Sequence, residues 1–160
     1  MISKDNKFIL NGILIFSIIS LAIAYFVQYV LGHKPCNLCL IERIPYIASI
    51  ILISLIFIIN KFEKIISIII LLFFIFASIV SFYHFGIEQG FFNESLVCDL
   101  ENNKRLSKEQ LLKQLESSSI VSCKDVTFRV LGLSLATINT IISIILSAIM
   151  AKIIINYDNN

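Results

Sequence analysis

Charge is what this chain most lacks. Only 15% of its 160 residues are Asp, Glu, Lys or Arg, against roughly 25% in soluble domains, and the deficit is concentrated. Four runs, 8–31, 44–60, 65–86 and 130–151, contain none of the four, and His84, near the end of the third run, is their only histidine. A soluble helix needs a polar face, and these runs have none, which excludes an ordinary soluble core. They also lack the polar–apolar alternation of barrel strands, which excludes an outer-membrane barrel. There is no internal repeat, no low-complexity linker and no tryptophan.

What is there instead is apolar residue, 58% of the chain. Each run meets or approaches the ~20 residues that cross a hydrocarbon core of ~30 Å. Isoleucine dominates them; it is a mediocre helix former in water, but in lipid every backbone group must be satisfied internally, so helices are expected. The fold class expected is therefore an all-α membrane protein, a four-transmembrane-helix bundle forming one domain over 1–160. The first run carries Lys4 and Lys7 ahead of it and an Ala22-Ile23-Ala24 cleavage-like pattern. Its apolar stretch continues past that pattern, so a retained helix is expected.

Four spans leave five polar segments. Segments 1–7, 61–64 and 152–160 share one side; 32–43 and 87–129 share the other. The first set carries five Lys or Arg in 20 residues, while the second carries eight in 55, matched by eight acidic residues. By positive-charge density both termini are expected in the cytoplasm. All four cysteines then fall in the two outer loops, Cys36 and Cys39 in the first and Cys98 and Cys123 in the second. An even number of cysteines on an oxidising face points to two disulfides. Within the long loop, Ser107-Lys108-Glu109-Gln110 is a capping-box pattern followed by Leu111, Leu112 and Leu115. It predicts a short amphipathic helix, lying on the membrane surface or covering the loop's own apolar residues.

Cys36-Asn37-Leu38-Cys39 is a C-x-x-C pair, a spacing that allows a readily exchanging disulfide and a thiolate of depressed pKa. A redox pair, half of a metal site and an inert staple all remain open. The metal reading wants four converging soft ligands, and Cys98 and Cys123, with 24 residues between them, are not spaced as a zinc ribbon. As a staple, a loop of that size contributes roughly 3–4 kcal/mol in the chain-entropy model. Arg43 stands four residues after Cys39 and seven after Cys36, so on one continuous helix all three share a face. It is read either as an interfacial side chain snorkelling to headgroups or as a fixed charge stabilising thiolate and a bound acceptor. Glu42 is expected to point elsewhere, as a surface group.

The stretch Pro35-Cys36-Asn37-Leu38-Cys39-Leu40-Ile41-Glu42-Arg43-Ile44-Pro45-Tyr46 resembles the signature of the DsbB family. These bacterial membrane proteins reoxidise the periplasmic thiol oxidase DsbA. The resemblance continues through Tyr83-His84-Phe85-Gly86-Ile87-Glu88-Gln89-Gly90, Cys98-Asp99, Cys123 and Gly132-Leu133-Ser134-Leu135-Ala136. It implies a quinone-dependent protein-disulfide oxidoreductase of the bacterial inner membrane with both cysteine loops periplasmic. The partners implied are a DsbA-like thioredoxin-fold oxidase, the membrane quinone pool (ubiquinone or menaquinone) and the bilayer, with no nucleic acid and no metal.

By the same resemblance, Cys36–Cys39 is the redox-active disulfide beside the quinone, with Cys39 passing electrons to the ring. Cys98–Cys123 is the redox-active disulfide that exchanges with the oxidase, with Cys98 bonding the partner. Arg43 and His84 join Cys39 at the quinone, and Glu88 receives no role. The missing tryptophans depart from the family pattern, and Phe91, Phe92 and Phe128 are the aromatic replacements. Two alternatives stand beside this reading. A vitamin K epoxide reductase-like enzyme carries its C-x-x-C late, in the last core helix. A disulfide-stapled or metal-handling membrane protein is the other.

Overall fold

Helices form where the apolar runs leave the backbone no partner but itself. The computed structural model describes residues 4–59, 62–93, 123, 129–130 and 132–158. Among them are α1 (Lys4–Tyr29), α2 (Asn37–Ile41), α3 (Ile44–Ile59), α4 (Glu63–Glu88), β1 (Arg129–Val130), β2 (Leu133–Ser134) and α5 (Leu135–Asp158). At 1.5 Å per residue α1, α4 and α5 each exceed the hydrocarbon thickness. The 16 residues of α3 do not. Taken with α2 they do, since Asn37–Ile59 forms one apolar span of 23 residues. The protein is thus a four-helix membrane protein with Cys39 inside its second span. The amphipathic helix expected near Ser107, with Cys98 and Phe128, lies outside the described residues.

The bundle is apolar outside and partly polar inside, the reverse of a water-soluble core. Ile51, Ile58, Leu72, Ile79, Ile144 and Ile155 are exposed, while Ser17, Ser49, Ser67, Ser81, Thr140 and Ser143 are buried. In lipid no hydrophobic force drives helices together, so small and hydroxyl residues take the crossings, where backbones approach closely. Ser17 and Ser49 hydrogen-bond between α1 and α3 at 3.2 Å. Other hydroxyls return to their own helix, as Ser81 does to the Ala77 carbonyl at 2.7 Å and Thr140 to that of Ala136 at 2.8 Å. One cluster at the end away from the cysteines joins all four spans through Leu10, Ile53, Phe74, Met150 and Ile153. α4 packs most extensively on α5, and α3 on α1 and α4.

Two local stops place the cysteine end. α4 finishes in a left-handed Gly90 (φ 78°). The N–H of Phe91 donates to the Gly86 carbonyl at 2.8 Å and that of Gly90 to Ile87 at 3.0 Å, a Schellman closure. It folds the Phe92 ring over Gly86, where a Cβ would collide with it, and onto Tyr83 at 5.6 Å between centroids. Phe92 stays 43% exposed in this stack, and Phe91 is 77% exposed. α5 begins at Leu135 rather than at 130, because Arg129–Val130 pairs antiparallel with Leu133–Ser134 across a turn containing Gly132 at φ 85°. Ser134 then caps α5, its Oγ accepting from the Thr137 N–H at 3.2 Å.

Candidate active site at the Cys36–Cys39 disulfide

Pro35 holds the preceding chain extended, and Cys36 becomes the N-cap of α2 with φ −74° and ψ 167°. Its sulfur accepts from the Cys39 backbone N–H at 3.2 Å, a donor that also suits a thiolate. Cys36 and Cys39 form a disulfide, with their Cα atoms 5.1 Å apart. Cys36 is 4% exposed and Cys39 half-buried. Cys123, 2% exposed and itself disulfide-bonded, packs into the same cluster as Cys36, Leu38 and Ile87. Structure thus brings the second loop's Cys123 down onto the first loop's pair.

α2 does not run on into α3. Glu42 and Arg43 form a turn, the Arg43 N–H reaching back to the Leu40 carbonyl at 3.2 Å, and Pro45 sits in the first turn of α3, where its missing N–H costs nothing. The single helix face expected for Cys36, Cys39 and Arg43 is therefore interrupted. Arg43 still lines the same cavity as both cysteines. Its guanidinium donates to Gln28 Oε1 at 2.6 Å and lies 5.0 Å over the Tyr25 ring, so α1 fixes it in place.

The surface position expected for Glu42 is overturned as well: three residues after Cys39, it lies on that residue's side of the chain and is 8% exposed. Its Oε1 lies 2.8 Å from His84 Nδ1 and its Oε2 accepts from Asn139 Nδ2 at 2.7 Å. Asn139 Oδ1 in turn accepts from the Tyr46 hydroxyl at 2.6 Å. The other ring nitrogen, His84 Nε2, is 3.5 Å from Cys36 Sγ and 3.8 Å from Glu88 Oε1. A chain of polar contacts thus runs Tyr46–Asn139–Glu42–His84–Cys36 through four elements. His84 contacts the disulfide itself, and Glu88, given no role from sequence, faces it.

A cavity of about 280 Å³ opens over the disulfide. Ala24 and Val27 of α1 face Leu135 and Ile142 of α5 across it, and Gln28, Arg43, Asn139 and Cys123 stand among its polar lining. That volume is near the small end for ligand pockets and suits a ring rather than a long molecule. Cys36, Cys39 and His84 each place a possible ligand atom within 4.8 Å of the others, and in this structure the two sulfurs are bonded to each other.

Sequence reasoning missed Gln28, Glu42, Tyr46 and Asn139. The signal for two of them was present: an amide side chain inside an apolar run is expensive unless partnered, and Gln28 and Asn139 are such residues.

An exchangeable C-x-x-C disulfide, held where a four-helix membrane bundle opens into an apolar cavity, defines a membrane thiol–disulfide protein. The chain belongs to the DsbB family: the family model described as disulfide bond formation protein DsbB matches residues 6–153. It is accordingly a multi-pass, disulfide-bond-forming membrane oxidoreductase. It is 32% identical over 156 residues to the uncharacterized protein RP370 of Rickettsia prowazekii (strain Madrid E), covering 96% of this chain and 91% of that one. No solved structure matches the chain.

Proposed function

We propose that this oxidoreductase draws electrons from a periplasmic DsbA-like thioredoxin-fold oxidase and delivers them to a membrane quinone. It sits in the bacterial inner membrane, with both termini cytoplasmic and the cysteines at the periplasmic face. The observation that carries the reading is the Cys36–Cys39 disulfide at an apolar cavity between α1 and α5 with Arg43 on its wall. The cavity would take the quinone ring, leaving an isoprenoid tail to follow the apolar helix faces into lipid. Arg43, His84 and Cys39 would meet the ring, and the quinone, ubiquinone or menaquinone, supplies the two-electron sink when bound.

The chain's own residues then have distinct tasks. Cys98 exchanges with the partner oxidase and Cys123 passes the reducing equivalents inward. Burial of Cys123 in the Cys36 cluster supports Cys36 as its target. Attack there releases Cys39 as thiolate, and the fixed Arg43 guanidinium lines the same cavity as a counter-charge. A DsbA-type oxidase is itself strongly oxidising, so a soluble thiol pool cannot reoxidise it, whereas a quinone can. The test is steady-state quinone reduction by the purified protein with a reduced DsbA-like oxidase as donor. Turnover is expected with donor, quinone and all four cysteines present; purified protein that oxidises the donor without quinone reduction would overturn the acceptor.

A further inference from the structure

We propose that Glu42 is a positioning residue: it fixes the His84 ring so that Nε2 takes the proton of the Cys36 thiol each time the Cys36–Cys39 disulfide re-forms. Glu42 is nine-tenths buried, which for a carboxylate is costly unless its oxygens are hydrogen-bonded. Both are: Oε1 to His84 Nδ1 at 2.8 Å and Oε2 to Asn139 Nδ2 at 2.7 Å. Asn139 is anchored in turn by the Tyr46 hydroxyl at 2.6 Å. The carboxylate is thereby clamped between α4 and α5 with little freedom to rotate.

An ionised carboxylate can only accept, so it selects the ring tautomer that carries hydrogen on Nδ1. The lone pair then lies on Nε2, which is the nitrogen 3.5 Å from Cys36 Sγ. The same device, a carboxylate behind a histidine, orients imidazoles elsewhere in protein chemistry.

The proton balance gives the device a use, on the acceptor assigned above. Closing the dithiol forms one S–S bond and releases two electrons and two protons. The electrons reduce quinone to quinol, which takes up two protons in all. Cys39 is already a thiolate when it leaves Cys36, and Cys36, protonated once it is freed from Cys123, must lose that proton before its sulfur can attack. Cys36 is 4% exposed, so bulk water is a poor base for it, and His84 Nε2 is in contact. Glu88 Oε1, 3.8 Å from the same nitrogen, adds a second negative charge beside the imidazolium so formed. Arg43, Tyr46, His33, Lys34 and Cys123 also line this space, so a pH profile is read by comparing variants.

The experiment uses full-length protein in detergent with Cys39, Cys98 and Cys123 changed to Ser, leaving Cys36 as the sole thiol. Its iodoacetamide alkylation rate is followed against pH, with and without Glu42→Gln. A free thiol titrates near 8.5, and an adjacent base lowers the midpoint. Glu42→Gln should raise the midpoint by about one unit and slow alkylation at neutral pH roughly tenfold. Glu42→Asp should recover part of the rate, and Glu42→Gln should add nothing further once His84→Gln is present.

An unchanged Cys36 profile in Glu42→Gln overturns the proposal. So does an effect that simply adds to that of His84→Gln. Should Glu42→Gln fail to fold, Asn139→Ala keeps the His84 contact and loosens the clamp; a smaller shift in the same direction is expected, and none overturns it. The proposal rests on the quinone reading only for its acceptor. A shifted Cys36 profile in protein that never reduces quinone would retire that reading and leave the positioning role standing.

Discussion

Arg43 donates to Gln28 Oε1 at 2.6 Å, so the charge beside the disulfide belongs to a turn between α2 and α3 but is aimed by α1. Lying 5.0 Å over Tyr25 as well, the guanidinium uses its planar shape, which an ammonium cannot reproduce. Arg43→Gln should raise the quinone Michaelis constant roughly ten- to a hundredfold, as loss of a 1–3 kcal/mol charged contact predicts. Arg43→Lys should do so less. Thiol exchange with the partner should change little in either. Steady-state quinone reduction measures this, and an Arg that served only to anchor the helix would leave the kinetics of Arg43→Lys untouched.

Gln28→Ala separates aim from charge. The guanidinium remains but loses its strongest tether, so the Michaelis constant should rise less than in Arg43→Gln. Removing a partner of a charge-assisted hydrogen bond costs about 1.5–3 kcal/mol, and less where water can enter. Equal defects in Gln28→Ala and Arg43→Gln would mean that Arg43 acts by holding α1, not by its charge in the cavity.

The spans were legible because they needed only composition: residues without charge over the width of a bilayer have few other fates. The cysteine pair was legible from spacing, whereas Arg43 reaches the cavity wall although the single helix face that suggested it is interrupted. Glu42 was misread for a local reason. It stands three residues after Cys39, and helix neighbours at i and i+3 share a face, so the projection that brought Arg43 to the disulfide already admitted Glu42 beside it. Its partner Asn139 lies 97 residues away, and no local pattern encodes such a pairing. The late start of α5 has a similar origin, since the hairpin before it depends on a left-handed Gly132.

Gly86 has a packing reason that predicts stability. Its α-carbon sits under the Phe92 ring, with no room for a methyl group. Gly86→Ala should force the ring off Tyr83 and cost about 1–3 kcal/mol, the usual range for overpacking. Thermal unfolding in detergent should show the loss, and Phe92→Ala should relieve it in the double variant. If Gly86→Ala unfolds at the wild-type temperature, the contact has no weight.

Four spans place both cysteine pairs on one face, and the side proposed for that face can be read on cells. After reduction, an impermeant maleimide should label Cys39 and Cys98 in intact cells, while the buried Cys36 and Cys123 are counted only after denaturation. Labelling of one pair alone would require an odd number of spans between Cys39 and Cys98. Both pairs protected until lysis would reverse the orientation proposed.

The order of the relay can be tested without donor or quinone. Cys123 is buried in the same cluster as Cys36, so the inward step should join those two sulfurs. A protein with Cys39 and Cys98 both changed to Ser retains only Cys36 and Cys123. Those thiols should close on each other under mild oxidant, because neighbouring side chains in one buried cluster have little loop entropy left to lose. Denaturing the protein and counting thiols with a mass-tagged maleimide should then find none, and two after reduction. The complementary variant, Cys36 and Cys98 changed to Ser, sets the alternative: Cys39 faces the cavity, and it should pair with Cys123 more slowly. Faster closure of Cys39 than of Cys36 would exchange their roles, making Cys39 the inward target and Cys36 the sulfur released toward the acceptor. His84 Nε2, 3.5 Å from Cys36 Sγ, would then serve the departing sulfur instead of the attacking one.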